Sequence, residues 1–187
     1  MKVYFSAAIT YRDDYLSEYK AIKKAISDLG HTYLESFDVL QTSLETALEP
    51  DEDKKIPYYK KWLATISKAD VAVIETSFPS TVHIGIEIVS LLERGKPTIV
   101  LYTKNNNPSF ASEYFHSRMI KSEYSVTDVK QTLKWCFEEA EKMVNRRFTF
   151  FITPEIDKFL DKITKTKGLS RSEFIRVLLE EKINKSS

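Results

Sequence analysis

Short apolar runs and helical stripes alternate along the first 144 residues. Lys2 to Ile9 (KVYFSAAI) reads as an apolar strand ending in small residues, which let a ligand approach the backbone closely. Tyr15, Tyr19, Ile22, Ala25, Ile26 and Leu29 recur at three- and four-residue steps and predict a helix, with Asp13 and Asp14 at its start and Gly30 at its stop. His31 to Leu34 is a second strand. Ser36 to Lys55 is polar and acid-rich, a mobile loop or short helix able to cover a site. Tyr58 to Ser67 reads as a helix leading into a buried strand from Val71 to Ile74. A loop through Pro79 and Ser80 follows, then a helix from near Gly85 to Gly95 and a buried strand from Thr98 to Tyr102. TKNNNPS is a turn-rich loop, and Val126 to Val144 a long helix that closes the first domain, residues 1–144.

The strand-loop-helix-strand order from Ala69 to Tyr102 predicts an α/β fold with a parallel sheet. Ligands bind such sheets beyond the carboxyl ends of the strands, where the loop from Thr76 to Ile84 falls. Glu87, one turn into the helix, then faces the ligand. The competing reading of Glu87 is an ordinary acid near a helix N-terminus, favoured by the dipole.

The pattern changes at Asn145-Arg146-Arg147. Phe148, Phe150 and Ile152 alternate with Arg147, Thr149 and Phe151, a six-residue strand. It runs into Thr153-Pro154-Glu155, a helix start with Thr153 as N-cap and proline at the first helical position. Ile156, Phe159, Leu160 and Ile163 form that helix's apolar face, and Gly168 ends it. Ser170-Arg171-Ser172-Glu173 opens a second helix with a capping-box pattern, and Phe174, Ile175, Leu178 and Leu179 form its face. One strand and two helices in about 40 residues cannot bury these faces alone, so a partner copy is implied.

The 28 lysines and arginines against 27 acids promise neither nucleic-acid nor membrane binding from whole-chain charge, so charge is read locally. A single cysteine, Cys136, excludes an internal disulfide and a multi-cysteine metal site, and its apolar-periodic surroundings suit a buried structural thiol. No run of about 18 apolar residues occurs, and Met1-Lys2 leads straight into a strand without a signal peptide. A cytoplasmic protein without metal or cofactor is expected.

Val3 to Ile9, Ala69 to Glu75 (ADVAVIE), Pro79-Ser80, Gly85-Ile86-Glu87 and Gly95-Lys96-Pro97 occur in an order that resembles the nucleoside 2-deoxyribosyltransferase superfamily, including its 2'-deoxynucleoside 5'-phosphate N-hydrolase branch. The resemblance implies a flavodoxin-like parallel sheet sandwiched by helices, which cleaves or exchanges N-glycosidic bonds without a metal. Breaking the bond from C1' to a nucleobase builds positive charge on the sugar, which a carboxylate traps or stabilises. The resemblance puts that role on Glu87 and implies that Tyr4 lies near the sugar, Ser80 binds a 5'-phosphate and Arg12 lies in a phosphate-binding loop. Ser6, His83 and Gly85 complete the candidate substrate-binding set.

One position departs from the family. The family has an aspartate seven residues before the alanine of the ADV strand, where it handles the proton of the leaving base; here that residue is Trp62, which neither ionises nor accepts a proton. The loop between Ser80 and Gly85 is one residue longer than in the nucleotide hydrolases, with Val82-His83 near their glycine. His83 is able to supply a proton, and Asp51 and Asp53 are acids that could fold over the pocket.

The tail from Arg146 to Lys185 resembles a ribbon-helix-helix domain over nearly its full length, a small β-α-α unit spanning residues 146–187. In that family two copies pair their strands into a ribbon that enters the DNA major groove. The resemblance implies that Arg147, Thr149 and Phe151 face outward to the bases, while Ser170, Arg171 and Ser172 hold phosphate. Phe151 stands where a polar reader is usual, so the alternative is a dimerisation clamp only.

Two functions follow. One is a nucleoside or nucleotide N-glycosidase, or deoxyribosyltransferase, made dimeric by its tail. The other is a DNA-binding transcriptional regulator whose first domain senses a nucleotide without catalysis. Glu87 favours the first and Trp62 the second. The expected partners are a nucleoside or nucleotide, a second copy of the chain and duplex DNA, with no membrane.

Overall fold

Apolar side chains on both faces of the central strands require a layer of helices on each side of the sheet. In the computed structural model, residues 1–42, 52–108, 114–143, 151–167 and 170–186 are described. The first compact unit, Met1–Asn145, contains β1 (Lys2–Ser6), α1 (Leu16–Asp28), β2 (Thr32–Leu34), α2 (Glu52–Lys68), β3 (Val71–Glu75), α3 (Val82–Glu93), β4 (Thr98–Thr103), β5 (Met119–Tyr124) and α4 (Val129–Met143). All neighbouring strands pair in parallel in the order β2-β1-β3-β4-β5, the flavodoxin-like order of a doubly wound sheet. The direction of winding reverses between β1 and β3, whose register pairs Tyr4 with Ala72 and Ser6 with Ile74.

Alternate residues of each strand enter different cores. Val3, Phe5, Val71, Val73, Ile99 and Leu101 pack with α1 and α4 through Ile22, Ile26, Leu133 and Phe137. Tyr4, Ala72, Ile74 and Val100 pack on the other side with Ile66 of α2 and Ile84, Ile88 and Leu91 of α3. Cys136 lies fully buried in the first core, and burial pushes its thiol up to about 11.

Two helix ends show how local sequence aims the strands. Gly30 and Gly95 adopt φ of 78° and 69°, conformations that favour glycine. Around each, the next residue's N–H returns to the helix, His31 to Ile26 at 3.1 Å and Lys96 to Leu91 at 3.0 Å, and the chain turns into β2 or β4. Lys96 Nζ also donates to the carbonyls of Ala69 (2.6 Å) and Ser67 (3.2 Å), stabilising the end of α2.

The boundaries differ from expectation in several places. β1 stops at Ser6, and Ile9–Tyr11 forms a 3-10 turn. α2 begins at Glu52, ahead of the expected Tyr58, and carries Pro57 within it. α3 starts at Val82 because Thr81 caps it, its Oγ1 accepting from the Ile84 N–H at 3.5 Å. α4 starts at Val129 instead of Val126, and β5 is an additional strand. Asp51 lies outside the described residues.

The second compact unit, Arg146–Ser187, contains α5 (Pro154–Lys167) and α6 (Arg171–Ser186). Thr153 Oγ1 accepts from the Ile156 N–H at 3.3 Å, the expected N-cap. Leu160 and Phe174 are buried, and the Phe159 and Phe174 rings meet at 6.1 Å. Ile156, Phe159, Leu178, Leu179 and Ile183 stay exposed in the single chain. Phe151 and Ile152 are not in a strand; Arg147, Phe148, Thr149, Phe150 and Gly168 lie outside the described residues.

Candidate functional site

A cavity of about 380 Å³ opens beyond the carboxyl end of β1, with walls from α2, α3, the turn after β1 and the segment after β2. This volume falls in the range of small-molecule pockets. Tyr4 and Ser6 come from β1, Thr10 from the turn, Ser36 and Phe37 from the segment after β2. His83 and Glu87 come from α3, and Lys55, Tyr58, Tyr59 and Trp62 from α2.

Among the described residues, Glu87 is the carboxylate that lines this cavity. Its Oε2 is buried without a hydrogen-bond partner among the described residues. Burial pushes its pKa up to about 7, against a downward pull from the hydroxyls of Ser6 and Tyr4. Tyr4 is buried beneath it, and burial together with the Glu87 charge raises its phenol beyond the ordinary range. Tyr4 therefore stays a neutral donor, and its oxygen accepts from Ser36 Oγ at 3.4 Å.

Two further side-chain atoms are buried without partners among the described residues, Tyr58 Oη and Trp62 Nε1, and both residues line this cavity. Unpaired buried polar atoms are costly, and three on residues that line one cavity are consistent with a place where a polar ligand completes the pairing. Tyr58 stacks on Phe37 with centroids 3.5 Å apart, and Tyr59 lies 5.6 Å from Trp62. Burial pushes the Tyr58 phenol up to about 12.

The remaining expected binding residues divide. His83 is exposed and lines the Glu87 cavity, as do Tyr4 and Ser6. Ser80 and Gly85 instead line an adjacent apolar cavity of about 610 Å³ with Phe78, Val82, Ile86 and Val89. Among the described residues only Thr81 and Ile84 belong to both. The separation arises because the helix starts at Val82, so one turn of α3 lies between Ser80 and Glu87. Arg12 lines neither cavity; its guanidinium donates to the Thr42 carbonyl at 2.8 Å and approaches Asp13 at 3.3 Å. Asp53 is exposed and lines neither. Sequence reasoning missed Lys55, Tyr58 and Tyr59, although with Trp62 they fall at helical spacing on one face of α2.

A second buried carboxylate supports the loop between β3 and α3. Glu75 Oε1 accepts from the Ser77 N–H (3.1 Å), the Ser77 hydroxyl and the Tyr124 hydroxyl (3.2 Å). Ser77 Oγ accepts the Thr103 N–H at 2.8 Å, and the Phe78 N–H donates to the Asn106 carbonyl at 2.8 Å. Tyr15 donates to the Phe78 carbonyl at 2.8 Å. These bonds tie the loop that leads into α3 to β4, to β5 and to Tyr15, the residue before α1.

In the tail, Arg171 pairs with Asp157 at 2.6 Å and with Asp161, while Ser172 is exposed. The Ser170 carbonyl accepts the Phe174 N–H at 3.0 Å, the first bond of α6. Phe151 is fully exposed. Among the described residues no group of three or more histidine, cysteine or acidic side chains is placed to hold a metal ion, and no helix is long and apolar enough to cross a membrane.

No curated protein matches the chain. A solved structure, Clostridium botulinum CMP N-glycosidase BcmB, is similar with a TM-score of 0.49 and 15% identity, covering 72% of this chain and 99% of that one. Residues 146–186 match the family model described as ribbon-helix-helix protein, copG family.

Proposed function

We propose that the first unit binds a nucleoside or nucleotide and cleaves its N-glycosidic bond, with Glu87 at C1' of the sugar. One observation carries this reading: Glu87 Oε2, Tyr58 Oη and Trp62 Nε1 are buried and unpaired, and their residues line a single cavity at the end of the sheet. An acceptor on α3 and two donors on aromatic residues of α2 suit a flat ligand that carries both acceptors and an electrophilic carbon. Tyr4 and Ser6 hydroxyls beside Glu87 support the carboxylate form, while burial keeps it poorly solvated and able to meet developing positive charge. His83 at the rim contributes a polar contact to the same ligand.

The tail would join two such chains and bind duplex DNA, as the ribbon-helix-helix match and the exposed apolar residues of α5 and α6 support. A regulator that senses the nucleotide without turning it over is the second reading, favoured by Trp62 at the position where the resembled family has an acid.

Incubation of the purified chain with a panel of nucleosides and 5'-nucleotides, followed by chromatography for free base, separates the two. Release of base that is lost in Glu87→Gln supports the enzyme. Saturable binding without release in the unaltered chain supports the sensor.

A further inference from the structure

Lys23 stands at a core position of α1. It falls between Ile22 and Ala25 in the apolar stripe and is 8% exposed, whereas its neighbour Lys24 lies on the surface and pairs with Asp28 at 2.8 Å. A lysine is buried this far only when it is paired. Its Nζ meets Glu35 Oε2 at 2.8 Å and Asp38 Oδ1 at 3.2 Å, and stands 4.8 Å from the centroid of the Tyr33 ring. Desolvation offsets much of the attraction in a buried ion group, so stability is a poor explanation for this one.

What the group holds is one wall of the Glu87 cavity. β2 ends at Leu34, opposite Tyr4, so the next residues are placed by side chains and not by a strand ladder. Ser36 and Phe37 lie between the two acids that Lys23 grips, and both line the cavity. Ser36 Oγ reaches Tyr4 Oη at 3.4 Å, and the Phe37 ring stacks on Tyr58 of α2 at 3.5 Å. Glu35 Oε1 also accepts the Val39 N–H at 3.4 Å, and Asp38 Oδ1 the Leu40 N–H at 3.0 Å, so the carboxylates join the lysine to the backbone of the turn. Lys23 itself lines neither cavity.

Resting on the reading of this cavity as a nucleoside or nucleotide site, we propose that Lys23 is a positioning residue for the ligand. It acts through Glu35 and Asp38 to hold Ser36 and the Phe37 ring at the cavity, and the role is the same whether the ligand is cleaved or only sensed. Losing the cation leaves Glu35 and Asp38 to repel each other within the turn, and each then turns toward water. Ser36 and Phe37 lose their place against Tyr4 and Tyr58, while α2 and α3 keep the support of the second core through Ile66, Ile84 and Ile88.

The test uses the full-length chain with nucleosides and 5'-nucleotides of adenine, guanine, cytosine, thymine and uracil. Affinity is read as Kd by calorimetry, or as KM where base is released. Lys23→Met keeps a long side chain and removes the charge; the folded variant should bind its ligand about tenfold more weakly, the scale of one aromatic contact. Phe37→Leu should weaken binding by a similar factor. The two together should weaken it no further than either alone, because the lysine acts through the ring; a merely structural lysine would give independent losses that multiply to about 100-fold. Glu35→Gln, alone and with Phe37→Leu, should repeat the pattern, which covers the case of a Lys23 variant that does not fold. Losses that multiply, or affinity unchanged in the folded Lys23 or Glu35 variant, overturn the positioning role and leave the nucleotide reading standing. No nucleoside or nucleotide bound by the unaltered chain overturns that reading and this proposal with it.

Discussion

Trp62 on α2 and Glu87 on α3 line one cavity, and each has a buried polar atom, Nε1 and Oε2, without a partner among the described residues. A donor and an acceptor whose residues line one cavity without pairing suit a ligand that meets both. Glu87→Gln keeps the shape and removes the charge. Base release should fall by about 10³-fold while nucleotide binding by calorimetry changes by less than about tenfold, since the charge is needed more in the transition state than in the ground state. Because burial pushes the Glu87 pKa up to about 7, kcat/KM should rise with pH as the carboxylate ionises, with a midpoint near 7 and about tenfold loss per unit below it.

Trp62→Asp adds an ionisable group to the same cavity. Placed beside the base, the new acid should protonate leaving groups that depart poorly as anions, and adenine release should rise relative to uracil release. Circular dichroism and thermal melting must show an intact fold first, because truncating a tryptophan costs about 3–5 kcal/mol when it is well packed. A folded variant with unchanged base preference would place Trp62 outside the leaving-group region.

The sheet was legible because β1, β3 and β4 are runs of buried apolar residues, and the Gly30 and Gly95 turns sit where a positive φ is required. β5 was not, because MIKSEY lies at the sheet edge, where Ile120 and Tyr124 are buried and Lys121 and Glu123 break the apolar signal. The start of α2 does not read as helix in the sequence because its first residues are acidic and Pro57 suggests a break. Among site residues, Glu87 and Trp62 stood out by motif and by departure from it. Tyr58 did not, because its significance is an unpaired hydroxyl, which only three-dimensional packing reveals. Ser80 and Gly85 adjoin Glu87's helix in sequence yet line another cavity, since one helical turn redirects them.

Glu75 gives a stability prediction independent of substrate. Burial raises its pKa from 4.5 to about 7 against the pull of Ser77 and Tyr124. Between those values the folded chain holds a proton that the unfolded chain has lost, so stability falls as pH rises through that window. The full loss is on the order of 3 kcal/mol for this group. Glu75→Gln retains an oxygen acceptor for Ser77 and Tyr124 and cannot ionise. It should raise the melting temperature at pH 8 and change it little at pH 5; an equal effect at both would show that Glu75 is not protonated in the fold.

Arg171 is held by Asp157 and Asp161, so its charge at the start of α6 is largely neutralised within the tail. If this end of α6 meets phosphate, the two carboxylates oppose binding through their own charge and by competing for the guanidinium. Asp157→Asn with Asp161→Asn should then tighten binding to duplex DNA in a mobility-shift assay, and Arg171→Ala should weaken it, with both effects shrinking as salt rises. The apolar faces provide the control. Leu179 and Ile183 are exposed in the single chain, so Leu179→Glu with Ile183→Glu spares its core. It should convert a dimer to monomer by light scattering, because each buried face would now carry charge. DNA affinity should fall in the same variant, since the ribbon needs a strand from each copy. A variant that becomes monomeric yet binds DNA unchanged would separate pairing from recognition and assign the phosphate contact to a single tail.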